Sequence, residues 1–311
     1  MNENSRVFVA GGNTLIGAAI LRQLKRQGYR DVVGEQSPAL DLTDATQVAD
    51  CFASQAPEYV FLAAGKSGGI EANRKYPAEL MLDNLLVECH IIHNAYRHGV
   101  KRLLYLASSC SYPKLCPQPM RVESLMTGPL EPTNEAYAIA KIAGIKLCQA
   151  YRQQYGANFI VGIPANAFGT DDDFSLDNSH VIPAMLRKMH EAKAHGVDQV
   201  GFWGTGTPRR EFIFADDLAE ACIFVMQNYN SEEPINLGGG ADVSIRELAN
   251  LVGEVVGYKG QLHFDTTKPD GMPIKALDAS RLREMGWVAA TPLSAALAAT
   301  YASFLRRPTG D

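Results

Sequence analysis

Nothing in the 311 residues commits the chain to a membrane or to nucleic acid. No run approaches the roughly 18 apolar residues of a spanning helix. The opening MNENSRVFVA has no basic segment followed by an apolar stretch and a cleavage site. Basic residues are in the minority, 29 Lys and Arg against 34 Asp and Glu, for a net charge of -5. That balance argues against a general affinity for polyanions, so cations for an anionic ligand must be local. Cysteine is sparse: six are scattered at 51, 89, 110, 116, 148 and 222, with no CxxC pair. No zinc site is expected, and in a chain this long no disulfide framework. The expectation is a cytoplasmic protein with reduced thiols, no metal, no membrane and no nucleic-acid partner. Internal repeats and low-complexity linkers are also missing.

What is present is alternation. Short apolar runs at Arg6–Ala10, Asp31–Gly34, Tyr59–Ala63, Arg102–Ala107 and Phe159–Ile163 read as strands. Helical patterns at Leu15–Gln27, Ala45–Gln55, Pro77–His98 and Glu135–Tyr155 lie between them. Such alternation predicts an α/β fold, a Rossmann-type doubly wound parallel sheet covered on both faces. Long insertions follow two of the strands, at Ser108–Thr133 and Asn166–Ser179. Loops at the C-terminal ends of strands are where open α/β sheets bind ligands. The second half is less regular, with helices expected at His180–Ala194, Asp216–Asn228, Ser244–Val256 and Pro292–Phe304, and strands at Gln199–Phe202 and Leu262–Asp265. A smaller, discontinuous α/β substrate lobe is expected there. The division is 1–165 plus about 212–240 for the dinucleotide-binding domain, and about 166–211 plus 241–311 for the substrate lobe.

The first strand runs into VFVAGGNTLIGAAI, residues 7–20. A strand, a glycine turn and a helix start put backbone N–H groups against a pyrophosphate. Gly11 suits the turn and Gly17 the close helix packing, but Thr14 stands where a middle glycine is usual. Glu35, near the end of the second strand, is placed to accept from an adenosine ribose, and no Lys or Arg occurs between Arg30 and Lys66. Further on, Tyr137 and Lys141 are four apart on one helix face, with Ser108 and Ser109 upstream at a strand end. This suits a reduction in which tyrosine moves a proton. A lysine ammonium beside the phenol is expected to lower its pKa toward working pH.

The glycine loop and the Tyr–Lys pair resemble the extended short-chain dehydrogenase/reductases. Longer stretches narrow the resemblance: FLAAGKSGGI (61–70), SSCSYPK (108–114), EPTNEAYAIAKIAGIKLC (131–148), NSHVIPA (178–184), WGTGTPRREF (203–212) and KPDGMP (268–273). Together, in order and over nearly the whole chain, they resemble the GDP-L-fucose synthase family. That resemblance implies 3,5-epimerisation and 4-reduction of a GDP-4-keto-6-deoxy sugar with NADP(H). It makes Tyr137 and Lys141 the reductase pair, Ser108 their helper, and Cys110 and His180 the acid/base groups of epimerisation. Cys and His titrate near enough to neutrality for such roles.

By the same resemblance, cofactor contacts fall to Gly11, Asn13, Thr14, Leu15, Ile16, Gly17, Glu35, Ala63, Ala64, Lys141, Pro164, Asn166 and His180. Substrate contacts fall to Lys188, Trp203, Arg210 and Asp270, with Arg209 a further local cation. Departures from the family pattern cluster on the cofactor side, at Thr14, Asn13, Glu35, Ser37, Ala165 and Ala167. Glu35 would repel a 2′-phosphate, so NAD(H) stands beside NADP(H), and weak discrimination between them is expected. The resemblance also implies a homodimer through the long helices near 77–98 and 135–155, with Ile91, Ile142 and Ile145 as candidate interface residues. Cys51, Cys89, Cys148 and Cys222 are expected to be buried and inert.

Overall fold

A computed structural model describes residues 1–34, 40–175, 179–268, 270 and 272–307. Glu35 and Ser37, singled out from the sequence, lie outside the described residues. The first half alternates as its pattern requires: β1 (Val7–Ala10), α1 (Leu15–Arg26), β2 (Val32–Val33), α2 (Ala45–Gln55), β3 (Tyr59–Leu62), α3 (Ile70–Lys75), α4 (Pro77–Arg97), β4 (Arg102–Leu106), α5 (Glu135–Tyr155) and β5 (Phe159–Pro164). The second half interleaves smaller pieces: β6 (Asn166–Phe168), α6 (Val181–Ala194), β7 (Gln199–Trp203), β8 (Arg209–Phe214), α7 (Ala215–Asn228), β9 (Ile235–Leu237), β10 (Ala241–Ser244), α8 (Ile245–Val256), β11 (Gln261–Asp265), β12 (Ile274–Lys275), α9 (Ser280–Glu284) and α10 (Leu293–Leu305).

The main sheet has the order β2-β1-β3-β4-β5-β9, and every pairing in it is parallel. The sheet explains why its strands read as unbroken apolar runs. Helices cover both faces, so both sets of side chains on VFVA and FIVGIP are buried. The chain leaves β1 toward β2 and returns to β3 on the other side. This opens a crevice at the C-terminal edge between β1 and β3.

A second hydrophobic cluster is built from Ile182, Leu186 and Met189 of α6, Leu248 and Val252 of α8, Leu297 of α10 and Phe212 of β8. Its sheet runs β10-β8-β12, with β6 also on β8. Local signals set its helix ends: Ser244 and Glu247 form a reciprocal capping box at the start of α8, and Gly257 closes it in the left-handed region at φ 73°. The insertion after β4 is fastened to this side of the molecule. Met120, fully buried, receives the amide of Asp278 on its carbonyl at 2.9 Å and donates its own to Ala276 at 2.7 Å.

Two expectations about surface residues need correction. Ile91 and Ile145 are in the core, 0% and 2% exposed, and so cannot face a partner. Both belong to the main hydrophobic core. The exposed apolar residues of those helices are instead Leu82, Tyr96, Ile139 and Tyr155. Tyr96 and Tyr155 stack at 4.4 Å. Cys51, Cys148 and Cys222 are buried as expected, but Cys89 is exposed on the outer side of α4.

Candidate active site

The glycine loop fills the crevice beside β3. Gly11 has φ 90°, and a Cβ there would lie 2.6 Å from Ala64 Cα; one on Gly17 would lie 1.9 Å from the Gly11 carbonyl oxygen. Both glycines are therefore obligatory. Thr14 is different. Its backbone is extended, φ -84° and ψ 162°, and its Oγ1 caps α1 by accepting from Gly17 N at 3.1 Å. The same hydroxyl lies 2.8 Å from the Gly11 carbonyl and 3.2 Å from that of Ala63. The middle position thus needs no glycine, and a threonine there binds the turn together. No acidic side chain lies in the first turn of α1, and Asn13 is exposed at the loop tip. An uncovered helix N-terminus behind a tight glycine turn fits a dinucleotide pyrophosphate. Leu15 and Ile16 are partly buried behind it, packed against the main core.

β4 delivers Ser108 at its C-terminal end, where it opens a short 3₁₀ turn over Ser109–Ser111. Ser108 Oγ accepts from Cys110 N at 3.1 Å. α5 begins beside this turn. Asn134 occupies its N-cap position but makes no cap hydrogen bond. Its amide donates instead to Cys110 Sγ at 3.2 Å. From β12, Lys275 Nζ reaches the same sulfur at 3.3 Å. Desolvation pushes the Cys110 thiol up, but the Lys275 ammonium and the hydrogen bonds with Ser108, Lys275 and Asn134 outweigh it. The thiol ends below its ordinary range.

Tyr137 projects into the same place, one turn along α5. Its phenol does not behave as the sequence suggests. Desolvation pushes it well up, the Cys110 charge and Glu88 add to that, and only the Ser108 hydroxyl opposes. Burial is the main cause, and the charge of Lys141 is engaged elsewhere. Its ammonium is 3.1 Å from Glu88 Oε1, in a pair whose side chains are 5% and 1% exposed, and 5.9 Å from the Tyr137 ring centre. Tyr105 OH donates to the same Glu88 oxygen at 2.7 Å. Gly144 makes room for this cluster, since a Cβ there would meet Tyr105 OH at 2.5 Å. Nearby, a Cβ on Gly65 would lie 2.3 Å from Asn84 Oδ1, a buried oxygen with no partner, and 3.3 Å from Lys141 Nζ. A polar group arriving in this corner would find an acceptor and an ammonium.

His180 stands at the N-cap of α6. Desolvation and Lys275 lower its pKa, and Asp173 opposes them. Lys275 therefore acts on both groups that the sequence paired for epimerisation. Arg210 lies next to Lys275 across the β8–β12 ladder, and its Nη1 donates to the Met272 carbonyl at 2.5 Å. Arg209, one residue back on β8, is committed elsewhere, to Asp242 and Glu247. Trp203 is 67% exposed, with Lys268 Nζ 5.7 Å from its ring centre. Asp270 receives Thr205 N at 2.9 Å and Thr205 Oγ1 at 2.8 Å, tying the turn after Trp203 to the loop before β12. Lys188 Nζ donates to the Gly201 carbonyl at 2.5 Å. Asn166 gives its amide to the Glu211 carbonyl at 2.8 Å, and Pro164 ends β5.

Ser108, Cys110, Tyr137 and Lys141 are thus gathered at one sheet edge, while Lys188 on α6, Trp203 on β7 and Asp270 before β12 lie on or beside elements of the second half. Residues 7–238 match the NAD dependent epimerase/dehydratase family. GDP-L-fucose synthase 1 of Arabidopsis thaliana is 50% identical over 305 residues, covering 98% of this chain and 94% of that protein.

The chain belongs to the GDP-L-fucose synthase family of extended short-chain dehydrogenase/reductases.

Solved structures agree. A GDP-L-fucose synthetase from Naegleria fowleri bound to NADP superposes with a TM-score of 0.90 at 30% identity, covering 98% of this chain and 94% of that one. A GDP-D-glycero-L-gluco-heptose synthase from Campylobacter jejuni, in the presence of NADPH, gives 0.90 at 33% identity, covering 98% and 99%. Sequence reasoning missed four residues of the site: Asn134, Lys275, Glu88 and Tyr105. Asn134 left a signal, an N-cap residue type one position before α5. The other three left none, because each matters only through a partner distant in sequence.

Proposed function

We propose that this protein converts GDP-4-keto-6-deoxy-D-mannose to GDP-L-fucose, epimerising C3 and C5 and then reducing C4 with NADP(H). The observation that carries this reading is the thiol of Cys110 beside Ser108 and Tyr137. Reduction alone needs the hydroxyls and a lysine. A low-pKa sulfur at the same strand end gives a base for the acidic protons flanking a 4-ketone. Relatives of about half-identical sequence that act as GDP-L-fucose synthases support the substrate.

The residues divide the work as follows. Cys110 removes a proton from carbon adjacent to the ketone, and His180 supplies one to the opposite face. Ser108 and Tyr137 donate hydrogen bonds to the enolate oxygen formed between these events. When bound, the dinucleotide supplies a hydride to C4. Tyr137, held protonated by its surroundings, gives the proton to the C4 oxygen. Lys141 holds charge beneath that corner. Gly11, Asn13, Thr14, Leu15, Ile16 and Gly17 cradle the dinucleotide phosphates, with Ala63, Ala64, Pro164, Asn166 and His180 along its length. Lys188, Trp203, Arg210 and Asp270 take the GDP-sugar, in a lobe comprising about 166–211 and 241–311 against a cofactor domain of 1–165 plus about 212–240. Two copies pair through α4 and α5, where Leu82, Tyr96, Ile139 and Tyr155 are exposed.

Turnover in D2O tests the epimerase half. Deuterium enters at C3 and C5 with the wild-type protein and not with Cys110→Ala. A product reduced at C4 without solvent deuterium would leave only a 4-reductase. A second reading, action on another GDP-4-keto sugar such as a deoxyheptose, draws on the likeness to the Campylobacter jejuni heptose synthase. Rate comparison between the two substrates separates them.

A further inference from the structure

We propose that Lys275 is a positioning residue for epimerisation, holding Cys110 as the thiolate that takes the substrate proton. The role in epimerisation rests on the function proposed above; the state of the sulfur does not.

Two nitrogen donors from distant parts of the chain converge on one sulfur. Lys275 Nζ lies 3.3 Å from Cys110 Sγ across 165 positions of sequence, and Asn134 Nδ2 lies 3.2 Å away across 24. A thiol is a weak acceptor, whereas a thiolate is a strong one and an anion. Two positive or polar N–H groups aimed at sulfur therefore suit the ionised form.

Both donors also forgo ordinary partners. Asn134 stands at a helix N-cap, where an asparagine side chain usually accepts a backbone N–H, yet it makes no cap. Its Oδ1 is buried with no hydrogen-bond partner among the described residues. Among the described residues Lys275 makes no ion pair with a carboxylate, and its ammonium is turned to the sulfur instead. Its strand places it by register rather than by chance: β12 pairs in parallel with β8, Lys275 beside Arg210.

Among the described residues no carboxylate acts on the sulfur. Ser108 faces it from its own turn, Asn134 and Tyr137 from the start of α5, Lys275 from β12 and Arg210 from β8. His180 and Asp173 interact with each other on the Lys275 side, and Glu88 acts on Tyr137 from α4. The direction of the Cys110 shift, downward against burial, agrees with this arrangement. The step balances. The C–H bond breaks, the proton joins sulfur as S–H, and the electron pair passes into the enolate whose oxygen Ser108 and Tyr137 hold. Protonation of sulfur also removes a negative charge that, after burial, adds to the rise of the Tyr137 phenol.

The test is alkylation of the full-length protein by iodoacetamide across pH 5–10, read at each cysteine by peptide mass spectrometry. Free glutathione in the same reactions serves as the reference thiol. Cys110 in the wild type should react with an inflexion below the ordinary thiol value of about 8.5. Lys275→Met should move that inflexion up by about one pH unit or more, roughly tenfold less thiolate at neutral pH, and Lys275→Arg should restore it. A wild-type inflexion at or above the ordinary value would overturn the proposal without any variant. So would an unchanged inflexion in folded Lys275→Met. A lysine that only bound substrate phosphate would raise KM and leave the inflexion where it was. Deuterium exchange at C3 and C5 is the second readout. If alkylation responds and exchange is absent even in the wild type, the thiolate stands and the proposed function fails.

Discussion

The Lys141 ammonium lies 3.1 Å from Glu88 and 5.9 Å from the centre of the Tyr137 ring, so its charge is held by a carboxylate within the fold. After burial and the Cys110 charge, Glu88 also raises the Tyr137 phenol, and among the described residues its Oε2 has no hydrogen-bond partner. Glu88→Gln removes that carboxylate charge. Burial and the Cys110 charge weigh more on the phenol than Glu88 does, so its titration should fall only slightly and the pH profile of single-turnover reduction should change little. Leaving a buried ammonium without its partner should cost about 3 kcal/mol of stability. A melting curve unchanged from wild type would show that the pair does not stabilise the fold.

Gly144 should be intolerant for the same reason. A Cβ there would lie 2.5 Å from Tyr105 OH and 2.7 Å from Glu88 Oε2, both packed in place. Gly144→Ala should destabilise by about 1–3 kcal/mol, read by urea denaturation. Helix propensity alone predicts the opposite sign.

Thr14 should matter for stability rather than for permitting the turn. Its backbone is in the extended region and its hydroxyl caps α1. Thr14→Ala should cost about 1 kcal/mol, and Thr14→Gly should not improve the Michaelis constant for the dinucleotide. A glycine variant that binds NADPH markedly better would show that the side chain obstructs the phosphates.

Asp172 should make stability fall with rising pH. Desolvation raises its carboxyl from 3.8 to about 7, against hydrogen bonds from Asp173 N and Gly169 N. Below the unfolded value both states are protonated and the group contributes nothing. Between that value and about 7 the unfolded chain ionises first, so the native state loses ground, and above 7 the penalty is complete. Asp172→Asn should therefore match wild type at acid pH and exceed it at pH 8, by at most about 4 kcal/mol. Thermal melts at both pH values check this.

The main sheet was legible because parallel strands buried on both faces leave unbroken apolar runs between helical periods. Val32–Val33 was overcounted by two residues, where the register with β1 ends after Phe8. β8, β10 and β12 were not read as strands. β10 and β12 are short, β8 opens on the charged Arg209, Arg210 and Glu211, and all three are defined by pairing with one another rather than by their own pattern. The site was legible where its chemistry is local, as in Tyr137 with Lys141 or Ser108 with Cys110. It was not where the chemistry is made by folding. The expectation of a lowered Tyr137 pKa failed because helical spacing places Lys141 near the phenol but says nothing of how deeply folding buries it, of the Cys110 charge beside it, or of Glu88, which takes the lysine's charge. Lys275 meets Cys110 only because β12 lies on β8 and the insertion after β4 folds back against it.

The most direct test of the account is to mix the protein with GDP-4-keto-6-deoxy-D-mannose and NADPH or NADH, follow nicotinamide oxidation and identify the sugar by NMR. The account predicts GDP-L-fucose, inverted at C3 and C5, with both cofactors used and the NADPH preference weak. A product reduced at C4 but uninverted would contradict the roles given to Cys110 and His180, and no oxidation with either cofactor would contradict the proposed reaction itself.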